Sequence, residues 1–272
     1  MRSVNSFVDS VCEDNLIFVN AEKSHLDNSK VNFYGRNNIL FVEDGVTLRN
    51  STINFNKDNS VVYLSSNRHN YLLNCSVNNG NSVYIGKDCY INGVMNLIAS
   101  EGKNIIVGDD GLFSFGIWVR TADPHLVYDV NSKERINYSQ SVLIGDHVWL
   151  GQQSLILKGS QIGSGSVLGG GTIVAGKHLL SNAAYGGNPA RLIKGGIFFS
   201  GECVHGWTPE ETKKYDRMLT EQWIYSADNR QLNFADLDLG LQMQQSARSR
   251  LKMVQKVLVV NKNRNRFYIG QE

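Results

Sequence analysis

Proline is almost missing from this 272-residue chain, which carries only Pro124, Pro189 and Pro209. Avoiding the one residue that cannot donate to a backbone ladder suits a stack of centrally paired strands. Cysteine is equally sparse. Cys12, Cys75, Cys89 and Cys203 show no CxxC and no framework spacing, which argues against a disulfide scaffold and for reduced thiols. No apolar run approaches the ~20 residues of a membrane span, and the opening MRSVNSFVDSVCEDNLIF has no uninterrupted hydrophobic core of a signal segment. The expected location is therefore the cytoplasm. A net charge of only +2 gives no footing for wholesale nucleic-acid binding. The six histidines, His25, His69, His125, His147, His178 and His205, lack paired ligand spacing, so no metal is expected.

What the chain does have is a repeat. From Ile144 to Leu180 an aliphatic residue recurs every sixth position, at Ile144, Leu150, Ile156, Ile162, Leu168, Val174 and Leu180, with glycine following at Gly145, Gly151, Gly163 and Gly169. Neither a helix nor an alternating strand yields that register. A solenoid does, with one aliphatic side chain inward per short strand, three strands per coil and coils stacked as parallel ladders. Similar cassettes lie upstream at 37–48, 58–67, 80–91, 102–113 and 139–150. Aligning the last inward aliphatic of each gives Val19, Val42, Leu64, Ile85, Val107, Ile144, Ile162 and Leu180. The early coils are longer, with Asn37, Asn38, Asp44, Asn50, Asp58, Asn59, Asn78 and Asn79 suited to left-handed turns.

One step in that ladder is 37 residues, from Val107 to Ile144. Subtracting one coil leaves about nineteen extra residues, extruded as a loop at 120–141. Rigid scaffolds use such loops for function. This one carries His125 between Asp123 and Asp129, with Arg120, Lys133 and Arg135 nearby.

The hexad run, the R-T-x-D-x-H loop, the following E-R-I-N and IGDHVWLG, and the closing GGNPARLIKG together resemble the hexapeptide-repeat acyltransferases. Within them the chain looks most like bacterial capsule and exopolysaccharide O-acetyltransferases. The likeness is dense from about Val83 to Gly195. It implies a left-handed parallel β-helix, a homotrimer with active sites between subunits, and acetyl coenzyme A as donor. It also implies that Asn188, Pro189, Ala190 and Arg191 border the coenzyme, with Lys177, Arg191 or Lys194 facing its phosphates. Tyr185 and Gly186-Gly187 depart from the usual lead-in to that segment.

The chemistry of such a site is separable from the name. A sugar hydroxyl is a poor nucleophile, so attack on a thioester needs a positioned base and a donor for the developing oxyanion. Histidine suits the first role. His125 matches the loop histidine of the resembled enzymes, and Asp123 or a main-chain carbonyl is the candidate to orient it. No serine or cysteine sits beside a base, so a ternary complex without an acyl-enzyme is expected. Trp149 faces outward before the inward Leu150 and is assigned to the cleft or to an interface; His147 reads as turn chemistry or cleft lining. Arg120, Arg135 and His147 are placed on the acceptor side. Gly169, Gly170, Gly171 and Ala175 leave coil corners bare enough for a pantetheine arm.

After Gly196 the pattern changes. Thr208-Pro209-Glu210-Glu211 is a capping-box start, predicting a helix to about Tyr225. A second helix through Leu237, Leu241, Leu251, Val254 and Leu258, and then a strand, are predicted beyond it. Between Asp238 and Glu272 there is no acid, while Arg248, Arg250, Lys252, Lys256, Lys262, Arg264 and Arg266 accumulate. Such a face is usually solvated but can attract an acidic polysaccharide, coenzyme phosphates, a membrane surface, a partner helix or the polysaccharide machinery. The expectation is thus an all-β parallel β-helix over 1–196 with a mainly helical basic extension over 197–272, acting as an acetyl-CoA-dependent O-acetyltransferase of a capsular or exopolysaccharide sugar. The alternatives are N-acetylation of an amino sugar or xenobiotic, and a non-catalytic glycan-binding solenoid.

Overall fold

The computed structural model describes residues 2–7, 11–12 and 14–270, the last of these stretches in full and residues 11–12 by backbone only. Parallel strands stack into a three-sided solenoid. Face one is a nine-stranded sheet that includes Ile39–Val42, Val142–Ile144 and His178–Leu179. Face two is a six-stranded sheet from Tyr90–Ile91 through Trp149–Leu150 to Arg191–Gly195, preceded in the early coils by the pair His25–Asp27 and Thr47–Arg49. Face three is an eight-stranded sheet that includes Trp118–Arg120 and Leu155–Ile156. Each coil runs from face one to two to three and back to one.

The inward ladder follows the sequence register: Val42 lies on Leu64, Leu64 on Ile85, Ile85 on Val107, Val107 on Ile144 and Ile144 on Ile162. All six are buried. Each such side chain contributes on the order of 1.5–3 kcal/mol by leaving water. The glycine after the inward aliphatic has a steric reason. A Cβ on Gly145 would sit 2.6 Å from the Ser164 amide of the next coil. The long early turns use asparagine as expected, but selectively. Asn37, Asn50 and Asn59 take positive φ, whereas Asn38 instead bonds to Asn15 Oδ1 through its amide side chain at 3.1 Å.

The last step departs from the hexad. Ile162 pairs with Leu179, not Leu180, so the final coil is one residue short. Leu180 is only half-buried, and its N–H donates to the Tyr185 hydroxyl at 2.8 Å. Tyr185, aligned on Leu168 and 5% exposed, plugs the end of the core. Its bulk and polar tip explain why the register shifts there.

The extension also departs from its sequence pattern. Helix α1 (Pro209–Lys214) has the expected capping box between Thr208 and Glu211 but ends well before Tyr225. None of its residues is buried, so nothing rewards further turns. Beyond it the chain is drawn across the solenoid: Asn182 donates to Trp223 O at 2.8 Å and accepts from the Tyr225 amide at 2.7 Å. The second predicted helix is two, α2 (Phe234–Gln242) and α3 (Ala247–Val254), the latter running into a π turn at Gln255–Val259. The expected terminal strand is absent from the described residues. The Arg266 guanidinium takes the Leu258 and Asn261 carbonyls, each at 2.8 Å, and curls that segment.

These helices cover the outside of face one. Tyr63, Tyr84, Ile106 and Leu143 point outward there and form a second core with Leu237, Leu241, Val254, Leu258 and Phe267. That is why strands such as Val61–Leu64 and Ser82–Ile85 are buried on both sides.

Candidate active site

The extruded loop leaves the corner between faces three and one and is braced along that edge in both directions. Towards the preceding coil, Arg135 forms a two-pronged pair with Glu101, at 2.8 and 2.9 Å, and Ser139 Oγ donates to the same carboxylate at 2.5 Å. The Arg135 and Ser139 hydrogen bonds hold the Glu101 carboxyl down at about 2. Towards the following coil, Lys158 Nζ lies 2.5 Å from Asp123 Oδ2. This ion pair is the main cause of the lowered Asp123 pKa.

Inside the loop the organising residue is Asn137, 8% exposed. Its Nδ2 donates to the His125 carbonyl at 2.7 Å and to Asp123 at 3.2 Å, and its Oδ1 accepts from the Val127 amide at 2.9 Å. The His125 backbone is therefore pinned while its side chain stands exposed at the loop surface. Asp123 does not bond the imidazole; it is spent on Lys158 and Asn137. Among the described residues the His125 ring has no hydrogen-bond partner.

The remaining site residues fall into separate places. Arg120 lies at the root of the loop, its guanidinium 4.7 Å over the Trp118 ring. Ala175 and Lys177 sit on the same edge as the loop, and Lys177 Nζ donates to Ala190 O at 2.7 Å. Gly170 lies exposed at the corner between faces two and three; Asn188, Pro189, Arg191 and Lys194 are exposed at the end of the solenoid, and Ala190 is buried. Trp149 is outward on face two, 39% exposed. That face is opposite the corner from which His125 rises, so one chain does not bring His125 and Trp149 together.

His147 occupies the corner between faces one and two with φ of 50°, which bears out its reading as a turn residue. It is not open to an acceptor in this chain: it is 4% exposed and sandwiched between Phe199 (4.0 Å) and Trp223 (3.6 Å). Its Nε2 lies 3.1 Å from Phe199 O, and burial lowers its pKa. Cys75 and Cys89 are buried and unpaired, and burial pushes the Cys75 thiol up to about 12. Neither is placed to act as a nucleophile. Among the described residues no three His, Cys, Asp or Glu side chains gather as metal ligands, and no helix is long and apolar enough to cross a membrane.

Sequence reasoning assigned no role to Asn137, Glu101 or Lys158. Asn137 was visible inside the E-R-I-N string; the other two belong to neighbouring coils and carried no local signal.

No family model matches the chain. Over 91 residues, 34% of the chain, it is 44% identical to the polysialic acid O-acetyltransferase of Escherichia coli O1:K1 / APEC. Over 96 residues, 35% of the chain, it is 46% identical to the polysialic acid O-acetyltransferase of Neisseria meningitidis. These matches span 29% and 45% of those two relatives, less than half of either. The crystal structure of the polySia-specific acetyltransferase NeuO superposes with a TM-score of 0.61 at 30% identity, covering 74% of this chain and 93% of that one. The polysialic acid O-acetyltransferase OatWY shares the fold, with a TM-score of 0.59 at 24% identity over 74% of this chain and 94% of its own. On the strength of the NeuO match across nearly that enzyme's whole length, the chain belongs to the same family as NeuO, the hexapeptide-repeat acyltransferases.

Proposed function

We propose that the protein transfers acetyl from acetyl coenzyme A to a hydroxyl of a capsular or exopolysaccharide sugar, with a sialic-acid polymer as the first acceptor to test. The observation that carries this reading is His125, whose backbone is pinned by Asn137 and whose imidazole is left free at the surface of a braced loop. In the proposed step His125 takes the proton of the acceptor hydroxyl as its oxygen bonds to the thioester carbonyl carbon. The tetrahedral oxyanion then collapses, the C–S bond breaks, and the departing thiolate recovers the proton from His125. The buried positions of Cys75 and Cys89 support direct transfer over an acyl-enzyme.

The active site is completed by a second copy in a homotrimer. His125 and the outward Trp149 lie on opposite sides of one prism, and abutting copies would bring the loop of one against face two of another. Bare corners at Gly170 and Ala175 suit the pantetheine arm, and the exposed Arg191 and Lys194 suit the phosphates, while Lys177 holds the Ala190 carbonyl that shapes that end.

The test pairs a donor measurement with a transfer measurement. Coenzyme A at ~100 times its dissociation constant stabilises the wild type by about 2.7 kcal/mol per site. His125→Ala keeps that stabilisation and loses about 10²- to 10⁴-fold in thiol release with a polysaccharide acceptor. Full activity in His125→Ala would overturn the role of the base, and turnover of amine acceptors alone would overturn O-acetylation.

A further inference from the structure

The structure divides the basic tail into cations that hold the fold and cations that hold nothing. Arg266 is buried against Asp146 and Asp109, at 2.8 and 3.0 Å. Arg250, 6% exposed, donates to the Asn59 carbonyl at 3.2 Å. Arg264 bonds the Glu221 and Ile224 carbonyls. The others are different. Lys262 stands exposed beyond the π turn; Arg248, Lys252 and Lys256 are exposed too, and among the described residues their side chains have no ion pair or hydrogen bond. The spacing of four residues places these last three in one stripe on the outer side of α3 and its π turn, about 6 Å apart along the axis. The opposite side of α3, through Ala247, Leu251 and Val254, is already spent on face one.

Position makes this stripe more than a solvated face. Arg250 anchors α3 at Asn59, while on α2 Asp238 accepts from Asn104 Nδ2 at 2.8 Å and from the Ser141 hydroxyl at the base of the catalytic loop. From Asn59 to Ser141 is three rungs of the solenoid, about 14 Å. The Arg248 end of the stripe and the root of the His125 loop therefore lie along the same edge of the solenoid. Beside Arg248 is a hollow of about 440 Å³ whose walls include Asn37 and Asn59, amides able to meet sugar hydroxyls; Asp14 at its rim lies 3.7 Å from Arg36.

We propose that the Arg248–Lys252–Lys256 stripe is a docking surface for the length of an acidic polysaccharide acceptor, holding the polymer while one sugar enters the catalytic site. The proposal rests on the acetyltransfer reading above for the identity of the polymer. Charge complementarity selects the occupant: a regular file of cations meets a chain bearing one carboxylate per sugar. A membrane fits less well, because the apolar side of α3 is buried and unavailable for insertion.

The test uses the full-length protein and fluorescently labelled polysialic acid. Binding weakens steeply with added salt, and the combined variant Arg248→Glu, Lys252→Glu and Lys256→Glu lowers affinity at least about tenfold at unchanged melting temperature. In the transfer assay that variant raises KM for long polymer by a similar factor, while kcat/KM for a short sialyl oligosaccharide stays within about twofold. Unchanged polymer binding, or equal effects on long and short acceptors, would overturn the docking surface. So would a variant that loses binding to phosphatidylglycerol vesicles but not to polymer. A wild type that binds polymer through the stripe yet acetylates no sialylated acceptor would sink the transfer reading and leave the surface standing.

Discussion

Arg266 joins the tail to the solenoid with a single guanidinium buried to 2% exposure. Burial alone would ease its proton off, but the carboxylates of Asp146 and Asp109 hold it above the ordinary arginine range. Arg266→Ala leaves Asp146 buried without its partner, and denaturant unfolding should show a loss of about 3–5 kcal/mol. A neighbouring carboxyl behaves oppositely. Burial first, then the charges of Asp109, Asp88 and Asp146, raise Asp110 to about 6. The folded chain thus binds this proton more tightly than the unfolded one, so its contribution to stability falls as pH rises from the usual aspartate range to about 6. Asp110→Asn, at a residue with φ of 56° that asparagine tolerates, should gain about 1 kcal/mol at pH 7 after solvent screening, and the gain should vanish below about pH 4. At this scale the sequence showed His125 through the 37-residue gap, but not its support. Glu101 and Arg135 are 34 residues apart and Asp123 and Lys158 are 35 apart, distances that become contacts only once coils stack.

The loop depends on its braces as an element. Because the folded pKa of Glu101 is depressed to about 2, its contribution is complete above the ordinary glutamate range and fades as pH falls through about 2. Glu101→Gln should loosen the loop at neutral pH, read as faster hydrogen exchange at Arg135 and Tyr138 amides and a higher KM for the acceptor. On the tail, Leu241 is fully buried between α2 and face one, and Leu241→Ala should cost about 2–5 kcal/mol by thermal or denaturant unfolding. The hexads were legible because one steric rule repeats; their failure at Leu179–Leu180 was not, since it depends on Tyr185 filling the prism from the next strand. The tail helices were legible in type but not in extent. Arg264, Arg266 and Asn182 take backbone carbonyls that a helix or strand would have used. The cover on face one was not foreseen: the outward Tyr63 and Tyr84 of VVYL and SVYI find their partners in the tail helices only once the chain has folded back.

For the whole molecule, the placement of His125 and Trp149 on opposite sides makes a direct test of assembly. If sites form between copies, His125→Ala and Trp149→Ala proteins, each inactive alone, should regain activity when mixed under conditions of subunit exchange. Some interfaces would then pair an intact histidine with an intact tryptophan. No recovery despite exchange, followed by mass photometry, would place both residues' work within one chain. The far end of the solenoid carries a further consequence. Face two closes with Arg191–Gly195 running antiparallel to Ala183–Gly186. On face three, Ala190 and Gly187 bond the Ile173 backbone, and beside face one Ile269 O accepts from the Ser181 amide. A ladder that would otherwise end in bare parallel edges is thus covered on each face by backbone from later in the chain, which works against stacking of further coils on that end.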